Sequence, residues 1–166
     1  MPSVRQQIAT RAIIKEDILL PPQRITTLTD SWKLDDDYTL YSLMPHMHLR
    51  GRSMRVDVNG ETLLYVPRFD FNWQHRYVLA EPKRLKRGAV IHCTAEYDNT
   101  ADNPNNPNPS ATVQTGYQST DEMFQLNLDV TRTHEDRLAT HHATLAAILA
   151  VVSITMIYLS FRGRRK

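Results

Sequence analysis

The sequence predicts an all-β fold, a sandwich of short strands, followed by one membrane-spanning helix near the C-terminus. Through residues 17–132, apolar and polar residues alternate with a period of two, in runs such as SMRVDVN and AVIHCTAEY. Turn-forming residues separate these runs at short intervals, which is typical of a sandwich. The third observation is an uncharged stretch at residues 143–161, which is long enough for a transmembrane helix.

The chain divides into four predicted parts. They are a lead-in at residues 1–16, the β domain at 17–132, the transmembrane helix at 143–161 and a basic tail at 162–166. Within the β domain, the runs RITTLT, YTLYSLM, SMRVDVN, ETLLYV and AVIHCTAEY predict strands in that order. The last strand has the cleanest alternation, with a predicted buried face of Phe124, Leu126, Leu128 and Val130.

The connections between these strands also have clear signals. Asn59-Gly60 predicts a β-hairpin, because a type I′ turn needs positive φ at both of its central residues. Residues 98–110 hold five Asn and three Pro, which predicts a long surface loop. The basic run KRLKR at residues 83–87 is interpreted as a solvated turn.

The uncharged C-terminal stretch would cross about 28 Å as a helix at roughly 1.5 Å per residue. The sequence RGRRK follows it, and basic flanks remain in the cytoplasm, so we expect a single-pass protein with an extracytoplasmic β domain and a cytoplasmic C-terminus. The first twenty residues have no signal-peptide pattern, so we expect a further region upstream. The alternative is a tail-anchored protein whose β domain lies in the cytosol.

Charge and motifs exclude several function classes. Four of the 20 Lys and Arg residues lie in the last five positions, so the rest of the chain carries 16 basic and 18 acidic residues, a net charge of −2. This balance predicts no nucleic-acid partner. The chain lacks C-x-x-C, H-E-x-x-H, G-x-S-x-G and glycine-rich phosphate motifs, and its single Cys93 has no partner for an intrachain disulfide.

His46 and His48 are two residues apart at the end of a predicted strand. In an extended chain both imidazoles lie on one face, where they can converge on one metal ion. Met123 is a further candidate ligand. It is the first residue of the polar row Met123, Gln125, Asn127, Asp129, and burial in the core does not explain a large thioether side chain on this polar face. The pattern alone is also compatible with other interpretations, in which the histidines are ordinary exposed or core residues and Met123 is an apolar residue at a strand edge.

Two imidazoles and a thioether would suit copper cycling between Cu(I) and Cu(II) better than zinc, magnesium or calcium. Three ligands leave a coordination position open, which is where dioxygen can bind. A blue-copper site needs a Cys thiolate, and Cys93 has no His or Met in the next several residues. The three residues therefore predict a copper site that is open to a small molecule.

The motifs HMHLRG at residues 46–51, the lone Cys93, YDN at 97–99 and DEM at 121–123 occur in an order that resembles a known family. They are similar to the C-terminal domain of the copper type II, ascorbate-dependent monooxygenases, which include the peptidylglycine α-hydroxylating and dopamine β-monooxygenases. The similarity is greatest to bacterial, membrane-associated relatives. It covers roughly residues 17–132.

The resemblance implies a jelly-roll sandwich in which His46, His48 and Met123 hold the copper that binds dioxygen beside the substrate. It also implies hydroxylation of a C–H bond, with ascorbate or another reductant and a second copper domain that supplies an electron. That second domain is not in these 166 residues, so an upstream or separate electron-transfer domain is expected as a partner. The small-molecule substrate is unknown.

The sequence departs from the family at two positions. In the animal enzymes, the cysteine that corresponds to Cys93 pairs with one directly after the methionine ligand, and Phe124 occupies that position. The peptide-amidating branch has an Arg two residues before the first histidine to hold a substrate carboxylate, and Met44 stands there instead. A C-terminal glycine peptide is therefore not the expected substrate.

Two other functions are compatible with the sequence. The first is a non-catalytic, membrane-anchored copper carrier, sensor or accessory module with the same three ligands. The second is a β-sandwich lectin or receptor module in which the histidines line a groove and bind no metal. Oxygen consumption with ascorbate separates the first from a monooxygenase, and metal content separates the second from both.

Overall fold

The computed structural model describes residues 7–133, which fold as an all-β sandwich, as the sequence predicts. In chain order its strands are β1 (Ala9–Lys15), β2 (Leu19–Leu20), β3 (Ile25–Lys33), β4 (Tyr38–His46), β5 (Gly51–Val58), β6 (Glu61–Val66), β7 (Tyr77–Leu85), β8 (Val90–Asp98), β9 (Val113–Gln114) and β10 (Phe124–Arg132).

The strands form two four-stranded sheets and one small ribbon. The first sheet has the order β1-β10-β4-β7, the second has the order β3-β8-β5-β6, and β2 pairs with β9. Every pair of neighbouring strands is antiparallel. The chain passes repeatedly from one sheet to the other, and β4 and β10 lie together in the middle of the first sheet.

The core lies between the two sheets and is built by the alternation that the sequence predicts. The predicted buried face of β10 is buried in the structure, at Phe124, Leu126, Leu128 and Val130. The second sheet contributes Val56, Cys93, Ala95 and Tyr97 from β5 and β8. Burying one large aliphatic side chain stabilises a fold by roughly 1.5–3 kcal/mol, so this shared face holds the sheets together.

Both predicted connections are confirmed. Asn59 and Gly60 have φ values of 51° and 81°, as a type I′ turn requires, and they join β5 to β6. Residues 98–110 pass from the end of β8 through turns without a further strand. Asn side chains stabilise this loop, since Asn106 Nδ2 donates to Asn99 Oδ1 at 3.0 Å and to the Thr100 carbonyl at 3.1 Å.

Two boundaries differ from the sequence analysis. The predicted lead-in contains β1, which pairs with β10 from Lys15↔Phe124 to Ala9↔Val130, although in β1 only Ile13 is buried. Backbone pairing therefore defines this edge strand more than an apolar face does, and a hydrophobic pattern could not reveal it. The interpretation of residues 83–87 as a solvated turn is wrong for its first three residues, which complete β7, an edge strand with the charged side chains that edges favour.

No helix within residues 7–133 is long and apolar enough to cross a bilayer. The predicted transmembrane helix at 143–161 and the basic tail at 162–166 lie outside the described residues, and they remain predictions.

Candidate metal centre

The three predicted ligands lie where β4 ends and β10 begins. These strands are neighbours in the first sheet, and Gln125 pairs with His46. His48 follows His46 by two residues and Met123 precedes Gln125 by two residues, and because the strands are antiparallel, both lie beyond the same end of this pairing. The structure therefore brings the H-x-H motif and the D-E-M motif to one end of one sheet, although 75 residues of chain separate His48 from Met123.

The two imidazoles are neighbours, as their spacing predicts. The ring centroids of His46 and His48 are 5.3 Å apart and the ring planes meet at 89°. Met47, between them, is fully buried in the hydrophobic core. His46 is half-buried and His48 is buried.

The hydrogen bond of His48 determines its tautomer. Its Nδ1 lies 3.3 Å from the backbone carbonyl of Asp121. A carbonyl only accepts, so Nδ1 carries the proton and Nε2 keeps its lone pair. Burial lowers the pKa of His48, and this favours the neutral imidazole that a metal ligand requires.

His46 has the same tautomer for a related reason. Its Nδ1 lies 2.5 Å from Oε1 of Gln74. The amide orientation of Gln74 is determined by its Nε2, which donates to the Phe71 carbonyl at 3.0 Å, so Oε1 must accept from His46. In both histidines Nδ1 therefore faces a hydrogen-bond acceptor, which is the arrangement that supporting hydrogen bonds give to histidines that bind a metal through Nε2. His48 also has a backbone hydrogen-bond interaction with Gln118.

The backbone of Met123 is held on both sides. Its N–H donates to Glu122 Oε2 at 3.2 Å, and its carbonyl accepts the hydroxyl of Tyr97 at 2.9 Å. Met123 is half-buried, whereas Phe124 is buried in the core. The thioether thus belongs to the polar row of β10, as its place in the sequence suggests.

Glu122 joins the two ligand-bearing segments. Its Oε2 also accepts from the backbone N–H of His48 at 2.9 Å, and its Oε1 accepts from that of Arg50 at 2.7 Å. The residue is fully buried. Burial raises the pKa of Glu122 to about 7, against the opposing effect of the three N–H donors.

A buried guanidinium extends this cluster to the third motif. Arg50 Nε donates to Asn99 Oδ1 at 2.8 Å, and Arg50 Nη1 donates to the Thr120 carbonyl at 2.8 Å. The segments HMHLRG, YDN and DEM therefore surround one hydrogen-bonded cluster. Arg50, Asn99 and Glu122 were not among the predicted site residues, although they belong to these motifs. Their signal in the sequence is that they are polar residues next to strands that build the core.

Gly51 completes the turn after the histidines, and it is required by space. A Cβ atom at this position would lie 2.6 Å from the Cβ of Met47 and 3.0 Å from the ring of Phe69. Its N–H donates to the His48 carbonyl at 3.1 Å. The glycine at the end of H-x-H-x-x-G thus lets the chain turn tightly beneath the histidines.

The loop at residues 67–76, between β6 and β7, forms a wall of the site. Phe71 lies edge-on to His48, with ring centroids 5.8 Å apart, and Gln74 contacts His46 as described above. This loop was not assigned to the site from the sequence, because its position is a consequence of the fold.

The other histidines within residues 7–133 do not belong to the predicted ligand set, although His75 lies in the 67–76 loop beside it. His75 stacks on Trp73, and His92 is exposed on the second sheet. His134, His141 and His142 lie outside the described residues. Among residues 7–133, no group of three or more His, Cys, Asp and Glu side chains could hold a metal ion. The candidate centre has only two residues of these types, His46 and His48, because its third predicted ligand is a methionine.

Cys93 is free and fully buried, and burial raises the pKa of its thiol to about 12. Phe124, the residue after Met123, belongs to the same hydrophobic core. Packing therefore stabilises this part of the fold without a disulfide.

Comparisons with known proteins do not identify a family. No protein-family model matches the chain, and no curated protein sequence is similar to it. Among solved structures, dimeric latent PorU from Porphyromonas gingivalis is similar over 78% of this chain and 13% of that chain, with 11% identity and a TM-score of 0.31. The chain thus spans a small part of PorU, and so weak a likeness carries no argument about function.

Proposed function

We propose that the chain is the copper-binding, dioxygen-binding domain of a copper type II, ascorbate-dependent monooxygenase. The observation that carries this proposal is the arrangement of His46, His48 and Met123 at one end of the first sheet. Both imidazoles have Nδ1 next to a hydrogen-bond acceptor, so Nε2 is the ring nitrogen that would bind the metal. Two imidazole nitrogens and a thioether fit copper in both of its common oxidation states.

The strand order supports the jelly-roll form of this proposal. A jelly roll has eight strands in two four-stranded sheets, with two Greek keys. With the short β2 and β9 set aside, eight strands remain, four in each sheet. The chain changes sheet at every step except between β5 and β6, which form a hairpin within the second sheet. The motifs HMHLRG, YDN and DEM also surround the hydrogen-bonded cluster of Arg50, Asn99 and Glu122. Contacts within this cluster explain physically why the motifs occur together.

The residues of this chain would hold the copper and orient its ligands. Gln74 and the Asp121 carbonyl orient the two imidazoles, and Glu122 fixes the segments that carry them. Bound there, copper would supply the one-electron chemistry with which this family activates dioxygen and hydroxylates a C–H bond. Ascorbate or another reductant and a second copper domain, in an upstream region or a separate chain, complete the proposed cycle.

We propose that the β domain is tethered to a membrane by residues 143–161, with the basic tail in the cytoplasm. The support is the uncharged length of this stretch and the RGRRK that follows it. The β domain is then extracytoplasmic, where a small-molecule substrate and a soluble reductant can reach it.

Copper titration of the purified full chain tests the proposed site. We expect one Cu(I) per chain, with binding abolished by His46→Ala combined with His48→Ala and unchanged by His92→Ala, which alters an exposed histidine on the other sheet. Copper binding that survives the double substitution would contradict the proposal.

A second measurement separates the monooxygenase from a copper carrier, sensor or accessory module. Oxygen uptake by the copper-loaded chain with ascorbate, above that of the His46→Ala, His48→Ala variant, supports redox chemistry at the site. Stoichiometric copper binding without such uptake, even when a second copper domain is added, would support the non-catalytic module.

A further inference from the structure

A cavity of about 210 Å³ lies beside the candidate metal centre, at the edge of the sandwich where β6 and β7 face each other. It lies under the loop at residues 67–76, whose Phe71 and Gln74 contact the two histidines. Pro45, which lines the cavity, is adjacent to His46 in β4. The loop at residues 67–76 therefore contributes side chains both to the cavity and to the metal centre, although none of His46, His48 and Met123 lines the cavity.

Most of the lining is apolar or aromatic. The residues are Pro45, Val66, Arg68, Phe69, Asp70, Trp73, His75 and Tyr77. Trp73 and His75 are stacked at 6.2 Å, and His75 meets Tyr77 edge-on at 5.5 Å. Trp73 is nevertheless 71% exposed, although aromatic side chains of this size normally bury much of their surface. An aromatic row that is open to solvent offers a stacking surface for a planar ring.

The two charged lining residues differ in what they already bind. Asp70 Oδ1 accepts from the backbone N–H of Asn72 at 2.9 Å and from its side-chain amide at 3.3 Å. Arg68 forms no ion pair with any carboxylate among residues 7–133. The guanidinium is thus the charged group available to a ligand, and it matches the geometry of a carboxylate.

Size limits the ligand further. Pockets for drug-sized ligands have volumes of roughly 300–1,000 Å³, so a cavity of about 210 Å³ admits one ring with a short substituent. A sugar is the competing ligand, because Arg68, Asp70, His75 and Tyr77 also offer hydrogen-bonding groups. The open aromatic row, and an Arg68 without an ion pair among residues 7–133, favour a planar ring with a carboxylate.

We propose that this cavity binds a small aromatic carboxylate, with its ring against Trp73 and Phe69 and its carboxylate on Arg68. Binding depends on these side chains and needs no metal. We infer that the same ligand class is the substrate class of the neighbouring metal centre. This second statement rests on the proposed function, because it requires copper at His46 and His48.

The test uses the purified full chain in the presence of EDTA, so that no metal contributes. Phenylacetate is the probe, and phenylacetamide is its uncharged analogue of the same shape. We expect saturable binding of phenylacetate by ligand-observed NMR and by quenching of tryptophan fluorescence, with phenylacetamide about tenfold weaker. Arg68→Gln should remove this preference, while Arg84→Gln, which makes the same charge change on β7 outside the cavity, should leave it intact.

The stacking surface is tested separately. Trp73→Ala should weaken phenylacetate about tenfold, and Trp73→Phe should retain most of the affinity, as measured by NMR. Arg68 and Trp73 are both exposed, so near-ultraviolet circular dichroism should show an intact fold in every variant.

Four results would overturn the inference. They are no saturable binding up to about 10 mM phenylacetate, equal affinity for phenylacetamide, unchanged affinity in Arg68→Gln, or displacement of phenylacetate by glucose, which would indicate a sugar site. The phenylacetate experiment is done in EDTA, so its result does not depend on whether the chain binds copper. The two proposals can therefore fail independently.

Discussion

Glu122 Oε2 accepts a hydrogen bond from the backbone N–H of His48 at 2.9 Å, and Glu122 is the residue before Met123. One fully buried carboxylate thereby connects the turn after β4 to the start of β10. It also accepts from Arg50 and Met123, so three backbone donors share its two oxygens. The position of the candidate ligands relative to each other depends on this acid.

Replacing Glu122 by Gln should destabilise the fold by roughly 2 kcal/mol, because the new amide group would place a donor against buried N–H donors and leave at least one of them without an acceptor. Urea unfolding measures the change. The control is Glu81→Gln on the exposed edge strand β7, which should change stability by no more than about 0.5 kcal/mol. Equal stability of the two variants would contradict the role of Glu122.

Gly51→Ala and Gly60→Ala should both destabilise the chain, for different reasons. A Cβ at Gly51 would lie 2.6 Å from the Cβ of Met47, and we expect a cost of roughly 1–3 kcal/mol from this overlap. Gly60 has open space but a φ of 81°, so its cost of about 1 kcal/mol is conformational.

Asparagine separates these two causes, because it tolerates positive φ but still has a Cβ. Thermal unfolding should show that Gly60→Asn recovers most of the stability that Gly60→Ala loses, whereas Gly51→Asn recovers none. Recovery at Gly51 would mean that steric overlap is not the reason for that glycine.

Asp129 should make stability depend on pH in the acidic range. Burial alone would raise its pKa, but hydrogen bonds from Ser42, Thr10 and Arg76 outweigh it and hold the pKa of Asp129 below the usual 3.8. The contribution of a carboxylate with a lowered pKa is present above the unfolded pKa and is lost as pH falls through the folded value.

Asp129→Asn should therefore cost about 1 kcal/mol at pH 7, since part of the pairing with the partly exposed Arg76 is screened, and the difference from the native chain should shrink below about pH 4. Urea unfolding across this range measures it. The control is Asp102→Asn in the exposed loop, which should change stability at pH 7 by no more than about 0.5 kcal/mol. A stability difference that is constant with pH would argue against an ionised Asp129.

Cys93 should be unreactive in the folded chain. It is fully buried, and burial raises the pKa of its thiol to about 12, so very little thiolate is available at neutral pH. A colorimetric thiol reagent at pH 7 should react with one thiol per chain only after denaturant is added. Rapid reaction of the native chain would contradict the packing of β8.

The sequence was most informative where one residue faces the core and the next faces solvent. The burial of Leu126 and Leu128, the hairpin at Asn59-Gly60 and the neighbouring rings of His46 and His48 all follow from a period of two or from local turn geometry. Such features depend on a few adjacent residues, so a pattern can reveal them.

Features that depend on distant segments could not be predicted in this way. β1 buries a single residue, Ile13, and its place at the edge of the first sheet is set by pairing with β10 more than 100 residues later. Gln74 and Glu122 reach the histidines across 28 and 74 residues of chain, respectively. Their roles become visible only when the sheets have assembled.

The most direct test of the proposed centre is X-ray absorption at the copper edge of the Cu(I)-loaded full chain. We expect nitrogen scattering with one sulfur scatterer, which disappears in Met123→Leu and persists in Met44→Leu, a second half-buried methionine near the same face of the first sheet. A spectrum whose sulfur contribution survives Met123→Leu, or one with no sulfur at all, would contradict the proposed two-histidine, one-methionine copper site.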